Sequence, residues 1–330
     1  MSGPSNNVIR CGICPKACRI PPGFSGECRV RMNLDGRLMA VTYARPCAVH
    51  VDPMEKKPLF HFCPGAAILS LGSAGCNLHC KHCQNADMSQ GNPEDITAFA
   101  LPPDELAALA KKQGCAHVAY TYNEPLVNYE YVRDCCIAAR ASGLRNVLVT
   151  AGYIREKPLA ALLPYVDAAN VDIKGFSEAF YREVCEASLA PVLASVLQMI
   201  RARVHVEITN LVIPTLNDSD DMLDGLFEWI AENAGREIPL HLSRFFPSFR
   251  MTHLPPTPLA TLLRARDRAK AAGLKHVYVG NAEVPDGDDT FCAGCGTRLV
   301  TRQRYVVTVN RVKPDGGCPE CGRRVYGVWS

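Results

Sequence analysis

The sequence has little net charge of either sign, no long apolar run and no apolar leader. Its 36 basic and 33 acidic residues leave a formal net charge of +3, too small for the positive field of a nucleic-acid-binding surface, so we expect no DNA partner. No stretch approaches the roughly 18 apolar residues of a transmembrane helix. The first ten residues lack the apolar core of a signal peptide. We therefore expect a cytoplasmic protein without a membrane partner.

Cysteine, in contrast, is abundant. The chain has 17 cysteines among 330 residues, and most of them fall in short-spaced groups. A disulfide framework is typical of short secreted chains with paired cysteines. Here the chain is long, the number is odd and the residues cluster, which indicates a reducing compartment and thiolates that bind metal.

The middle of the chain alternates strand-like with helix-like segments. Predicted strands cover residues 67–72, 115–122, 146–150, 168–173, 204–213, 238–242 and 276–279. Predicted helices cover residues 103–112, 128–141, 177–186, 191–201, 219–233 and 258–272. This order predicts an α/β fold, a partial or full (β/α) barrel, with a doubly wound open sheet as the alternative. We expect three parts: an N-terminal four-cysteine module with a connecting segment (1–60), the barrel (61–281) and a C-terminal ribbon (282–330).

One cysteine group follows the first predicted strand of the barrel. Cys76, Cys80 and Cys83 have the spacing Cys-x3-Cys-x2-Cys. Three thiolates in one loop can bind three irons of a [4Fe-4S] cluster, which leaves the fourth iron free for a small molecule. The alternative is a zinc loop completed by His79 or His82.

This loop resembles the signature of radical S-adenosylmethionine (SAM) enzymes, and the resemblance spans nearly the whole chain. Further matching segments are residues 52–61, 83–85, 120–125, 241–247 and 279–281. Together they resemble the radical SAM enzymes of the AmmeMemoRadiSam system, which are similar to pyruvate formate-lyase activating enzymes. The resemblance implies reductive cleavage of SAM to methionine and a 5′-deoxyadenosyl radical, which abstracts hydrogen from a substrate. It also implies a one-electron donor such as flavodoxin or ferredoxin.

The resemblance also implies which side chains contact SAM. These are His82, Tyr122, Asn123, Glu124, Gly152, Asp172, Lys174, Asn210 and His241. Other roles are open for some of them: Glu124 could cap a helix, and Asp172 with Lys174 could form a surface ion pair. The chain departs from the family at Ala151, where family members usually have asparagine.

Both ends of the chain carry a further four-cysteine pattern. Cys292, Cys295, Cys318 and Cys321 form two Cys-x2-Cys pairs, which predict a structural zinc ribbon, with a rubredoxin-like or ferredoxin-like iron site as the rival. At the other end the cysteines are Cys11, Cys14, Cys18 and Cys28. Four thiolates suit either zinc or a second [4Fe-4S] cluster, and the pattern favours zinc.

Residues 55–61, Glu-Lys-Lys-Pro-Leu-Phe-His, connect the N-terminal module to the barrel. We expect them near the barrel rim, where Lys56 or Lys57 with His61 would donate hydrogen bonds to an anionic substrate or partner. The alternative is a solvated scaffold segment. For function, the first hypothesis is hydrogen abstraction from a protein or peptide, the second is modification of a small molecule, and the third is a non-catalytic metal-binding scaffold.

Overall fold

The computed structural model describes residues 7–330, and it begins with a small N-terminal module (residues 7–45). Its short strands form two antiparallel pairs. They are β1 (Ile9–Arg10), β2 (Arg19–Ile20), β3 (Arg31–Leu34) and β4 (Arg37–Ala40). The buried Asn33 side chain joins the pairs, because its amide donates to the Ile20 carbonyl at 2.9 Å.

An eight-stranded sheet forms the centre of the molecule. Its strands are β5 (Pro46–Pro53), β6 (Ala67–Ser73), β7 (His117–Tyr120), β8 (Arg145–Thr150), β9 (Ala168–Asp172), β10 (His205–Val212), β11 (Leu240–Arg244) and β12 (Val277–Gly280). The strands lie in chain order; β5 runs antiparallel to β6 and the other neighbours are parallel. A doubly wound sheet would reverse its order part-way. Because β5 and β12 are the two ends of the sheet, this is a partial barrel, which confirms the predicted fold class.

Helices connect the parallel strands. They are α1 (Ala86–Ser89), α2 (Pro103–Lys112), α3 (Tyr129–Ala141), α4 (Glu156–Leu162), α5 (Glu178–Phe180), α6 (Ala190–Arg201), α7 (Asp220–Trp229) and α8 (Leu259–Ala271). Polar side chains start some of them: the Ser219 hydroxyl accepts the Met222 N–H at the start of α7, which satisfies a donor that the helix itself cannot pair. Short 3-10 turns cover Met54–Lys56, Pro125–Asn128 and Leu163–Tyr165, and π turns cover Tyr181–Cys185 and Ile230–Gly235.

The two faces of the sheet bury different partners. Alternate strand residues such as Leu69, Val118 and Leu148 face the helices and form the main core with them. Their neighbours on the opposite face, including Ile68 and Ala119, pack against a segment that we call the interior segment (residues 54–63). This segment therefore crosses the concave face of the sheet, whereas the sequence predicted that it runs along the rim.

The C-terminal ribbon (residues 282–330) contains β13 (Thr290–Phe291), β14 (Arg298–Gln303) and β15 (Val306–Asn310), paired antiparallel. Its small core consists of Cys292, Leu299, Val300, Cys318 and Val325. Within residues 7–330, no single helix has the length and apolar character needed to cross a membrane; the bent pair Glu178–Cys185 and Ala190–Arg201 meets the criterion only when taken together.

Candidate functional site

The loop that follows β6 carries Cys76, Cys80 and Cys83, and all three thiols line one cavity of about 230 Å³, the cysteine cavity. Backbone N–H groups fix the loop: His79 donates to the Cys185 carbonyl and Lys81 to the Val184 carbonyl, both at 2.9 Å. In the described part of the chain, no three ligand atoms of this loop lie within 4.8 Å of one another, whether thiol or imidazole. A single zinc ion needs its ligand atoms closer together than this. Three separated thiols instead suit a cluster in which each thiolate binds a different iron.

Cys80 is buried, and Cys76 and Cys83 are partly buried. Burial, with the neighbouring Cys80, raises the pKa of Cys76 well above its ordinary value. Contact with the Cys185 thiol, followed by burial, does the same to the pKa of Cys80. The thiolate forms therefore need a compensating positive charge, which a bound iron–sulfur cluster supplies. In this respect the residues present fit the cluster.

Tyr122 and Asn123 follow β7 and line the same cavity. Tyr122 has a left-handed backbone, with φ +74°, and its ring lies over Gly72; a Cβ atom at Gly72 would come within 2.8 Å of the ring. The Asn123 amide donates to the Ser73 carbonyl at 2.9 Å, while its buried Oδ1 has no partner in the structure. A buried acceptor on a cavity wall fits a ligand that donates hydrogen bonds.

Glu124 is buried between two strand ends. Its carboxylate accepts hydrogen bonds from the Thr150 hydroxyl at 2.8 and 2.9 Å, from the Ala151 N–H at 2.8 Å and from the Leu126 N–H at 3.0 Å. Burial is the largest influence and raises the pKa of Glu124, against these hydrogen bonds. Glu124 thus caps the turn Pro125–Asn128 and also lines the cavity.

The next strand end places Ala151 on the cavity wall, so the departure from the family pattern falls at the site itself. Gly152 lies behind it with φ +65°, and a Cβ there would be 3.2 Å from the Val171 side chain. The Ala151 methyl can form no hydrogen bond, whereas the side-chain amide of an asparagine at this position would provide both a donor and an acceptor.

Asp172 is the last residue of β9 and forms an ion pair of 2.8 Å with Lys174, which lies just beyond the strand. Both line the cysteine cavity. The pair opposes burial and, with the neighbouring Cys80, raises the pKa of Lys174 above its usual range. His82 lies on the same wall; burial and the Lys174 charge lower its pKa to about 3, so its ring is neutral.

Besides Gly152, two more residues predicted to contact SAM lie outside the lining of the cysteine cavity. Asn210 does not line the cysteine cavity, and its amide donates to the Ile173 carbonyl at 2.8 Å. His241 lines a second cavity and contacts Glu207 through Nε2 at 2.7 Å. Burial would raise the pKa of Glu207, but hydrogen bonds from His205 and His241 hold it well below its ordinary value. Glu207 is therefore a buried carboxylate beneath the second cavity.

The second cavity, of about 830 Å³, adjoins the first, and we call it the rim cavity. The two share the wall residues Gln84, Thr209, Ser243 and Asn281. The remaining lining carries charges of both signs, from Lys56, Arg244, Glu283, Asp288 and Arg304. Arg304 belongs to the ribbon, so the ribbon forms part of the wall of this cavity.

The structure separates the three side chains that were expected to meet a substrate. Lys56 lines the rim cavity and its side chain is 49% exposed. Lys57 is buried, with its amine 2.7 Å from the Asp52 carboxylate. His61 is also buried; its Nδ1 lies 2.6 Å from the Tyr326 carbonyl and its Nε2 2.6 Å from the Tyr278 hydroxyl. The expectation is thus corrected for Lys57 and His61, whose polar atoms face the protein interior because the interior segment lies across the sheet.

Two further residues organise the site. Asp52 accepts hydrogen bonds from Lys56, Lys57 and the Tyr122 hydroxyl, the last at 2.8 Å. These bonds overcome the effect of burial and lower the pKa of Asp52. Arg302 of the ribbon donates to the Phe60 carbonyl at 2.6 Å and its guanidinium lies over the Phe60 ring. Asp52 lies in a recognised motif, but nothing near Arg302 in the sequence indicates its partner.

The ribbon brings its four cysteines together. Their ligand atoms all lie within 4.8 Å of one another. The Cys292 and Cys321 sulfurs are 3.6 Å apart and the Cys295 and Cys318 sulfurs 3.7 Å apart. A tetrahedral zinc ion with bonds near 2.3 Å places its sulfurs about 3.8 Å apart. The ribbon thus holds a compact four-thiol site suited to one metal ion.

The chain resembles known proteins over nearly its whole length. Residues 71–229 match the radical SAM superfamily. "Uncharacterized protein MJ0808" of Methanocaldococcus jannaschii is 42% identical over 323 residues, which cover 97% of this chain and 96% of that one. Pyruvate formate-lyase 1-activating enzyme of Escherichia coli K12 is 23% identical over 175 residues, covering 51% of this chain and 71% of the enzyme. Streptococcus suis SuiB, solved with its precursor peptide SuiA, is 14% identical with a TM-score of 0.52; the match covers 70% of this chain and 52% of SuiB, and shows the shared fold alone.

Proposed function

Because the chain belongs to the radical SAM superfamily, we propose that it cleaves SAM reductively at a [4Fe-4S] cluster bound by Cys76, Cys80 and Cys83, and abstracts hydrogen from a substrate in the rim cavity. The adjoining cavities carry this proposal: one contains the three thiols, the other is wider, and they share a wall. When bound, the cluster supplies the electron for SAM cleavage. The barrel's residues hold SAM, orient it and limit its contact with water.

The strand ends supply the SAM contacts in this proposal. The buried Glu124 carboxylate and the unpartnered Asn123 oxygen offer acceptors for the SAM amino group. Lys174, held by Asp172, offers a positive charge to the SAM carboxylate. Gly152 shapes the turn, and Asn210 and His241 support the cavities from outside the cysteine cavity.

For the substrate we propose a protein or peptide, with Lys56 on the substrate side. The rim cavity is large, and its lining comes from the interior segment, the sheet and the ribbon and includes side chains of both charges. Such a lining suits a polar segment of a polypeptide chain. The relatives whose names describe activating enzymes point the same way.

The finer assignment, to the AmmeMemoRadiSam system, rests on the matching segments. We also propose a flavodoxin-type or ferredoxin-type electron donor, a structural zinc ion in the ribbon, and the division into a module, a barrel and a ribbon.

The test is anaerobic reconstitution followed by measurement of 5′-deoxyadenosine and methionine. We expect the wild-type chain with a reductant to form both and Cys80→Ala to form neither, because an alanine methyl cannot bind iron. Cys115→Ala, which changes a buried thiol outside the three metal-site groups, is the matched control. If the reconstituted wild type does not cleave SAM, the proposed function fails and the remaining hypothesis is a non-catalytic metal-binding scaffold.

Deuterium transfer identifies the substrate class. Candidate peptides and small molecules labelled at carbon are incubated with the enzyme, and 5′-deoxyadenosine is analysed by mass spectrometry. We expect deuterium from a peptide backbone position, with Lys56→Ala reducing this transfer but not uncoupled SAM cleavage. Transfer from a small molecule alone would replace the peptide proposal.

A further inference from the structure

The four-cysteine site of the N-terminal module differs in geometry from the ribbon site. Its thiols, Cys11, Cys14, Cys18 and Cys28, line one cavity. In residues 7–330, however, the only group of three or more ligand atoms within 4.8 Å of one another is the ribbon's. We propose that the N-terminal site binds a second iron–sulfur cluster rather than zinc, and that this cluster passes electrons to the Cys76 loop.

The spacing of the sulfurs carries the first half of the proposal. One zinc ion draws four sulfurs to about 3.8 Å from one another, as the ribbon sulfurs are. In a polynuclear cluster each thiolate binds its own iron, so the thiolates stand further apart around the inorganic core. In residues 7–330, neither the Cys76 loop nor the N-terminal site has three ligand atoms within 4.8 Å of one another, so both lack the compact arrangement of the ribbon. The sequence pattern alone favoured zinc because it does not report these distances.

Charge around the site suits an anionic cluster. Lys16 and Arg31 line the cavity with the four thiols. The Arg31 side chain is 4% exposed, and its Nε has no partner in the structure. Arg31 also pairs with Glu130. A buried guanidinium donor beside four thiolates compensates their charge and offers a hydrogen bond to sulfur.

The module is packed directly against the Cys76 loop. Gly75, the residue before Cys76, has φ +89°, and a Cβ there would lie 2.5 Å from the Cys28 carbonyl oxygen and 2.4 Å from the Val30 side chain. Asn77, the residue after Cys76, lines the N-terminal cavity itself. The two cysteine sites are therefore separated by little more than the Cys76 backbone and its neighbours.

This contact gives the second half of the proposal, which rests on the proposed function. One electron leaves a low-potential donor, which is oxidised, and reduces the N-terminal cluster. The same electron then reduces the cluster of the Cys76 loop, so the N-terminal cluster returns to its starting state and no proton or further reactant is required. In this scheme the donor docks at the N-terminal module.

The metal content of two variants tests the cluster. One variant replaces Cys76, Cys80 and Cys83 by Ala, and the other replaces Cys11, Cys14 and Cys18 by Ala; Cys115→Ala is the control. After anaerobic reconstitution, we expect each triple variant to lose about half of the iron and sulfide of the wild type. The cluster left in the first should give an electron paramagnetic resonance signal that SAM does not change, because four thiolates leave it no open iron. An iron-free first variant with zinc at both ends of the chain would overturn the proposal.

The wild-type chain provides the same test if a variant does not fold. We expect the reduced protein to show two signals, of which SAM shifts one. A single signal that responds fully to SAM, with two zinc ions per chain, would overturn the second cluster. If both clusters are present but SAM is not cleaved, the proposed function fails and the cluster assignment stands.

The electron path is tested with two reductants. The N-terminal triple variant should lose SAM cleavage supported by flavodoxin and keep cleavage supported by dithionite, which is small enough to reduce the buried cluster directly. Equal flavodoxin-supported rates in this variant and the wild type would overturn the electron-transfer role.

Discussion

Lys56 and Lys57 are adjacent in the chain and share one carboxylate, yet they lie in different environments. Lys57 is 2% exposed and Lys56 is 49% exposed, and both amines contact Asp52. Asp52 also holds the Tyr122 hydroxyl. The buried lysine therefore supports the wall of the cysteine cavity through Asp52, while the exposed one faces the rim cavity.

We expect Lys57→Ala to cost about 3 kcal/mol of unfolding free energy, because it leaves Asp52 buried with one cation fewer. The variant should also weaken SAM binding, since Tyr122 loses part of its support. Lys56→Ala should change stability by less than about 1 kcal/mol. Chemical unfolding and SAM titration check both, and equal stability of the two variants would contradict the distinction.

His61 predicts a pH dependence of stability. Burial, followed by the charge of the neighbouring His276, holds the pKa of His61 well below its ordinary value. In the unfolded chain the pKa of a histidine is about 6.5. Below that pH the unfolded chain takes up a proton that the folded chain does not. Stability should therefore fall on acidification by up to about 1.4 kcal/mol per pH unit for this group.

The check is the slope of unfolding free energy between pH 6.5 and pH 5. His61→Gln keeps a polar side chain but does not titrate, so its slope should be smaller than that of the wild type. His253→Gln, which changes an exposed histidine, should leave the slope unchanged. Identical slopes for His61→Gln and the wild type would show that His61 does not contribute.

At the scale of elements, the loop between β6 and α1 depends on a glycine. Gly75 combines a positive φ with close contact to the N-terminal module, whereas Gly143, after α3, has φ +77° and no atom within 4 Å of a Cβ. We expect Gly143→Ala to cost about 1 kcal/mol, from backbone strain alone. Gly75→Ala should cost more, because the Cys28 carbonyl must also move. Thermal melting and iron content measure the effect of each variant. Equal losses of stability in Gly75→Ala and Gly143→Ala would contradict a close contact between Gly75 and the N-terminal module.

The parallel strands and most helices follow from the sequence because their apolar residues recur with the period of each element. The observed β6 to β12 lie within a few residues of the predicted ones. Strand β5 was missed because prolines stand at both its ends and its partly buried residues do not alternate regularly with exposed ones. Helix α4 was missed because it has only seven residues and contains Pro158. The predicted boundary at residue 60 also divides the central sheet, which includes Pro46–Pro53.

The cysteine groups could be found from the sequence because metal ligands come from short local motifs. The strand-end residues followed from the resemblance, and six of the nine line the cysteine cavity. The burial of Lys57 and His61 could not be predicted, since it depends on contacts with residues more than 200 positions away for His61. The difference between the two four-cysteine sites was likewise hidden, because the spacing of cysteines along the chain does not determine how close folding brings their sulfurs.

At the scale of the whole molecule, the ribbon holds the interior segment in place. Arg302 contacts the Phe60 carbonyl and ring, and the Cys63 N–H donates to the Val328 carbonyl at 2.7 Å. Because the interior segment forms one wall of the rim cavity, a metal bound by the ribbon cysteines would support that wall from a distance.

We expect Cys295→Ser to release the ribbon metal, lower the melting temperature and increase hydrogen exchange in residues 54–63, because a closed four-thiolate site contributes folding free energy. Uncoupled SAM cleavage should persist. Cys47→Ser, outside the metal-site groups, is the control. A full metal content and unchanged melting in Cys295→Ser would contradict the structural role.

The contacts between the interior segment and the last residues of the ribbon also set an order of assembly during synthesis. The ribosome releases the three cysteines of the β6 loop long before it releases Arg302 and Val328. A nascent chain can therefore form the cysteine loop while one wall of the rim cavity is still unsupported. That wall becomes fixed only after Arg302 and Val328 have left the ribosome, because both contact the interior segment.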